Sequence, residues 1–99
     1  HDNVMRGFDA FVPDGKIVYI HFRDVRGTRE CFHECFIDEG QVDTYAVVQR
    51  LKQLGFDGFM IPDHVPATVG DSGWHHRGRA HCVGFMQAMI QAVDRQGAA

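Results

Sequence analysis

KIVYIHF at residues 16–22 is a run of β-branched and aromatic residues almost without polar interruption. That composition is expected of a strand covered on both faces, as in a parallel sheet. A second apolar run, FDGFMI at 56–61, ends abruptly at Pro62-Asp63-His64. Between the two runs lies a helical pattern. Asp43 is placed as its N-cap, Tyr45, Val48, Leu51 and Leu54 recur at steps of three, Val47 widens the stripe, and Gly55 supplies the stop.

Outside this core, Val4, Phe8 and Phe11 predict a weak helix over 3–11, closed by the turn signal Pro13-Asp14-Gly15. Arg26-Gly27-Thr28 breaks the first strand, and a mixed stretch, CFHECFIDEG, follows at 31–40. Residues 66–78 read as loop, with Gly70 and Gly73 as breakers. Val83, Met86, Ile90 and Val93 mark a final amphipathic helix, and Gly97-Ala98-Ala99 is a loose tail.

Alternating strands and helices predict an α/β chain with a parallel sheet. The segments after the strands are long and rich in His, Arg, Asp and Glu, whereas those before them are short. That asymmetry belongs to (β/α) barrels, whose chemistry sits at the C-terminal ends of the strands. A full barrel needs ~250 residues, so the 99 residues here supply about two of its eight βα units. The expected architecture is therefore the C-terminal portion of a (β/α)₈ TIM barrel, a single segment over 1–99. The sequence opens at His1 inside a helical pattern, which predicts a piece of a longer chain.

Composition excludes several classes. With 44% hydrophobic and 23% charged residues the chain is globular rather than disordered. A formal charge of −3 gives no footprint for nucleic acid, and no apolar run approaches the ~20 residues of a membrane span. The three cysteines, Cys31, Cys35 and Cys82, are an odd number. Together with the lack of a basic-then-apolar leader, they predict a reducing, cytoplasmic setting.

Two strand ends carry the chemistry. Period-two alternation places His21 and Arg23 on one face and Phe22 and Asp24 on the other. A His and an Arg facing one way offer a metal ligand and a carboxylate clamp, or else a satisfied buried His and a structural ion pair. Asp63 and His64 offer a hard oxygen ligand beside a proton carrier, or else a helix cap and a surface His. A His/Asp set without thiolate pairs suits Mn²⁺, Mg²⁺ or Fe²⁺ better than structural zinc. Cys31 and Cys35 have no second pair to complete a zinc site, and Cys82 reads as core. Glu34, Asp38 and Glu39 form an acidic loop that offers support behind a site's first contacts or an orienting contact to a substrate hydroxyl, or else, as the favoured reading, a solvated loop. Trp74-His75-His76-Arg77 is a dense polar-aromatic stretch suited to a lid.

The succession IHFRDVRGT, FHECFIDEGQVD and LKQLGFDGFMIPDHVP, then a Gly-aromatic loop and a closing helix, resembles the C-terminal part of mannonate dehydratase. That family shows HFR-x-V-x-G-T, F-x-E-x-F-x-D-x-G-x-x-D and G-F-D-G-x-x-x-P-D-H in this order, matched here over about residues 16–84. The resemblance implies a xylose-isomerase-like TIM barrel that dehydrates D-mannonate to 2-keto-3-deoxy-D-gluconate with a divalent metal, usually Mn²⁺. Carried over by position, His21 and Asp63 would be metal ligands, His64 the acid/base residue, and Arg23 the residue holding the sugar acid. Trp74 and His76 would be weaker substrate contacts, and a homo-oligomer is implied for the whole enzyme. The family's remaining ligands, a His and a Cys from earlier strands, fall outside these residues, and neither Cys31 nor Cys35 takes their place. One departure stands out: where the family commonly places a catalytic Tyr after Gly, Gly73 is followed by Trp74. His75 and His76 offer titratable groups in its place, and a changed substrate or lost activity is the other expectation. The alternatives are a sugar isomerase or epimerase on the same barrel, or a non-catalytic homologue or fragment.

Overall fold

The computed structural model describes residues 1–97. Its elements run α1 (Asp2–Phe11), β1 (Tyr19–Phe22), β2 (Asp24–Gly27), β3 (Phe32–Cys35), α2 (Thr44–Gln53), β4 (Phe59–Pro62) and α3 (His76–Gly97). The chain is α/β. Of the expected tail, Gly97 closes α3, and Ala98 and Ala99 lie outside the described residues.

The helix between the strands forms as its sequence requires. The Asp43 carboxylate accepts from the Ala46 amide at 3.0 Å, satisfying an N–H that the first turn leaves free. At the other end Gly55 adopts φ 75°, and the Gly55 and Phe56 amides return to the Lys52 and Leu51 carbonyls. This αL closure favours glycine because it has no Cβ to crowd the backbone. The inward stripe buries Val47, Val48 and Leu51 against Cys82, Met86, Met89 and Val93 of α3, with Phe22 and Ile37 in the same cluster. Cys82 is core, as expected, and its burial pushes the thiol pKa up against the opposing charge of Arg79.

The two apolar runs become neighbours. β1 and β4 pair in parallel, Tyr19 against Phe59, Ile20 against Met60, His21 against Ile61 and Phe22 against Pro62. Both strands are shorter than the runs that predicted them. Nor is β1 covered on both faces. Tyr19 is half exposed, whereas Phe22 is buried, and Phe59 on β4 is 75% exposed. Among the described residues only two strands belong to this sheet, and the core lies to one side of them, so the outward side chains have nothing to pack on there. No helix among the described residues is long and apolar enough to cross a membrane.

Two further departures shape the site. The stretch read as a strand break and mixed segment is a β-hairpin, with β2 antiparallel to β3 and Val25 opposite Glu34. Gly27 makes its turn, since at φ 130° a Cβ would lie 2.3 Å from the Cys31 carbonyl oxygen. The last helix starts at His76, inside the expected loop. Its first amides are held by side chains upstream: His76 by Ser72 Oγ at 3.2 Å, and Arg77 and Gly78 by the Asp71 carboxylate at 2.9 and 3.2 Å.

Candidate active site

The parallel register brings the two strand ends together. His21 sits opposite Ile61, so two residues further on Arg23 and Asp63 continue the same face. The Asp63 amide donates to the Phe22 carbonyl at 3.1 Å, carrying the pairing past the last strand residue. Asp63 Oδ1 lies 3.6 Å from His21 Nδ1, and Oδ2 lies 3.7 Å from Arg23 Nη1. The opposite face behaves as its parity predicts, with Phe22 and Asp24 buried at 4% and 1% exposure. The Asp24 carboxylate turns inward to accept from the Val25 and Val42 amides at 2.9 and 3.1 Å.

His64 joins this group from the loop after β4. Its Nε2 is 3.7 Å from Asp63 Oδ1 and its Nδ1 is 3.2 Å from Glu34 Oε1. Glu34 also receives Arg23 Nη2 at 2.5 Å. His21, Arg23, Asp63 and His64 are therefore gathered at one end of the two-stranded sheet. His21 and His64 are open to solvent, while Arg23 and Asp63 are partly buried. Nearby, Arg23 stacks over Phe32, 5.9 Å from the ring centre, which limits the guanidinium's freedom.

Two residues here are ones that the reading of the sequence misplaced or missed. Glu34, for which support of the site is one expectation and a solvated loop the favoured one, is not in a loop. It stands on β3, because the hairpin folds the FHEC stretch back against the end of β1. The period-two placement of Phe32 and Glu34 on one face, both touching Arg23, is the signal that locates it. Asp38 and Glu39 do lie outside the cluster, Asp38 within 3.7 Å of His81 and Glu39 offering its carbonyl to Arg26. The second missed residue is Arg79. From the first turn of α3 it donates to the Trp74 carbonyl at 3.0 Å and to the Asp63 carbonyl at 2.9 Å, tying the Gly-aromatic loop to the end of β4.

Trp74 and His76 are not brought into the cluster. Trp74 is 76% exposed and His76 belongs to the first turn of α3. Among the described residues neither side chain makes a hydrogen bond or ion pair with His21, Arg23, Asp63 or His64. His75, at φ 58°, makes the sharp entry into the helix.

His21 and Asp63 have the donor chemistry of a divalent-cation site, an imidazole nitrogen and a carboxylate oxygen close enough to share one ion. They are two donors. Among the described residues no group of three or more His, Cys, Asp or Glu side chains is arranged to hold a metal. Cys31 is exposed and Cys35 buried, and neither enters the cluster.

The D-mannonate dehydratase (UxuA) family model matches residues 2–99. The chain belongs to the D-mannonate dehydratase family. Curated relatives are distant. The chain is similar to a mannonate dehydratase of Lactococcus lactis subsp. cremoris, 24% identical over 102 residues that cover 95% of this chain and 28% of the relative. It is also similar to a mannonate dehydratase of Brachyspira hyodysenteriae, 28% identical over 91 residues, covering 84% of this chain and 25% of the relative. The chain thus spans about a quarter of the length of these D-mannonate dehydratases. No solved structure gives a significant match.

Proposed function

We propose that this chain forms the C-terminal part of a metal-dependent sugar-acid dehydratase that converts D-mannonate to 2-keto-3-deoxy-D-gluconate and water. The observation that carries the reading is the convergence of His21, Arg23, Asp63 and His64 at the C-terminal ends of two parallel strands. In a (β/α)₈ barrel that is where chemistry sits. The barrel reading is further supported by the exposed apolar side chains of Phe59 and Tyr19 on the two strands and of Val18 just before β1. A sheet of only two strands leaves its outer faces and edges without partners.

In this reading His21 and Asp63 hold one edge of a divalent cation, Mn²⁺ first and Mg²⁺ or Fe²⁺ as alternatives. When bound, the ion supplies Lewis-acid stabilisation of negative charge on the substrate carboxylate. Arg23, partly buried and fixed by Phe32 and Glu34, pairs with that same carboxylate and adds charge where the dianion develops. His64, beside Asp63 and open to solvent, delivers a proton to the departing hydroxyl, a contribution of roughly 10²–10⁴-fold.

A second reading has one observation in its favour. The exposed Trp74 has no titratable proton and stands apart from the cluster, which suits a homologue that binds a sugar acid without turning it over, or that acts on another substrate. Incubating the protein that carries this chain with D-mannonate and Mn²⁺, and following the 2-keto acid product, separates the two. Product formation supports the dehydratase. Metal-dependent binding without product would leave the binding reading in its place.

A further inference from the structure

Glu34 sits behind the two groups that the proposed reaction needs held still. Its Oε1 is shared, 2.5 Å from Arg23 Nη2 and 3.2 Å from His64 Nδ1. Its Oε2 is buried with no hydrogen-bond partner among the described residues. A carboxylate oxygen left buried and unpaired costs stability, so Glu34 is a poor choice for stability alone. The hairpin sets it there. β2 follows β1, the strand bearing His21, after the single residue Arg23, and β3 returns with Glu34 opposite Val25. The carboxylate therefore stands on a paired strand and not on a mobile loop.

We infer that Glu34 is a positioning residue that orients Arg23 and His64 together, a role that rests on the dehydratase reading for its catalytic meaning. A carboxylate within hydrogen-bond reach of Nδ1 favours the neutral imidazole tautomer with its proton on that nitrogen. The other nitrogen, Nε2, is then left free, on the side of Asp63, to take up a proton and pass it to the departing hydroxyl. The same oxygen takes one N–H of Arg23, which fixes the guanidinium plane and leaves Nη1 directed towards Asp63, 3.7 Å away. One carboxylate thus sets the geometry of the proton carrier and of the carboxylate clamp. Partners that orient metal-ligating imidazoles are worth about 10–100-fold in activity when removed, and the same scale is expected for a proton-carrying one.

Two measurements on the protein that carries this chain test the role. The first needs no turnover: the ¹⁵N shifts of the His64 ring, recorded where the imidazole is neutral, report its tautomer. The Nδ1–H form should dominate in the parent and give way to a mixture in Glu34→Ala, with an unchanged far-UV spectrum confirming that the hairpin is intact. The second is kinetic. Glu34→Gln should lower kcat about 10–100-fold in the parent. In a His64→Asn background, where only Arg23 remains to be oriented, it should lower kcat by clearly less than in the parent, a departure from additivity that marks coupled residues. An unaltered tautomer in a folded Glu34→Ala protein would overturn the inference, as would equal losses in both backgrounds. If Glu34→Ala does not fold, Glu34→Gln is carried through the same ring-nitrogen measurement and decides it. A parent protein without turnover would sink the dehydratase reading, while the tautomer result would still decide whether Glu34 orients His64.

Discussion

The carboxylate of Asp24 occupies the space that a side chain at Gly40 would need: a Cβ built there lies 2.1 Å from the Asp24 carboxyl carbon and 2.3 and 2.4 Å from its oxygens. Asp24 is 1% exposed, and its inward turn leaves Arg23, its neighbour between β1 and β2, to face Asp63. The glycine in FIDEGQVD is thus required by close packing. Gly40→Ala should cost about 1–3 kcal/mol, as overpacking of a filled interior does. A thermal melt reads this directly, and a melting temperature within about a degree of the parent would show that the Asp24 pocket yields.

His64 stands 3.7 Å from Asp63 Oδ1, where a proton carrier for a leaving hydroxyl would stand. Replacing it with Asn keeps the shape and removes the titratable nitrogen. His64→Asn should lower dehydration of D-mannonate by about 10²–10⁴-fold, with little change in melting temperature because the ring is exposed. An isomerisation on the same metal set needs no acid for a leaving group. Turnover held within about fivefold would remove His64 from its role.

His21 Nδ1 and Asp63 Oδ1 lie 3.6 Å apart at the end of the β1–β4 pair. If both hold the cation, His21→Ala and Asp63→Asn should each weaken Mn²⁺ binding by at least the ~10–100-fold that outer partners of a metal site are worth. Titration followed by the electron spin resonance signal of free Mn²⁺ measures this without any turnover. Parent-like affinity in both variants would place the ion elsewhere.

Asp71 carries a pH-dependent part of the stability. Its carboxylate accepts the Arg77 amide above all, and also the Ser72 and Gly78 amides and the Thr68 hydroxyl, and these bonds hold its pKa below the ordinary 3.8. A folded-state pKa that is depressed means stabilisation fully present above the unfolded value and lost as pH falls through the folded one. Asp71→Asn should therefore melt earlier than the parent at neutral pH, and the gap should begin to close below about pH 3.8. A gap that stays constant down to pH 2, measured by thermal melts across that range, would mean that the charge at the start of α3 is immaterial.

Much of this was legible along the chain. The N-cap at Asp43, the αL stop at Gly55, the inward stripe of α2 and the burial of Cys82 all follow from caps and from a 3.6-residue period, which are local properties. So does the face parity at the end of β1, where Phe22 and Asp24 turn inward and His21 and Arg23 do not. The hairpin was missed for an equally local reason. Each of its strands is four residues long and charged, and VRGTRECFHE offers no clean alternation to read. The early start of α3 was hidden because its caps, Asp71 and Ser72, precede the helix by several residues and bond across a turn. Nothing in the periodicity of His76-Arg77-Gly78 announces it.

By itself, then, the sequence determined which residues stand at strand ends, which way each faces, and how α2 begins and stops, since periods of two and 3.6 and cap chemistry act between near neighbours. Only the tertiary structure decided that β1 and β4 lie side by side in register, so that Asp63 meets His21 and Arg23. It alone folded Glu34 back to bridge Arg23 and His64. Those juxtapositions depend on pairing between segments distant in the chain, where the helix core and the hairpin turn select one register among many.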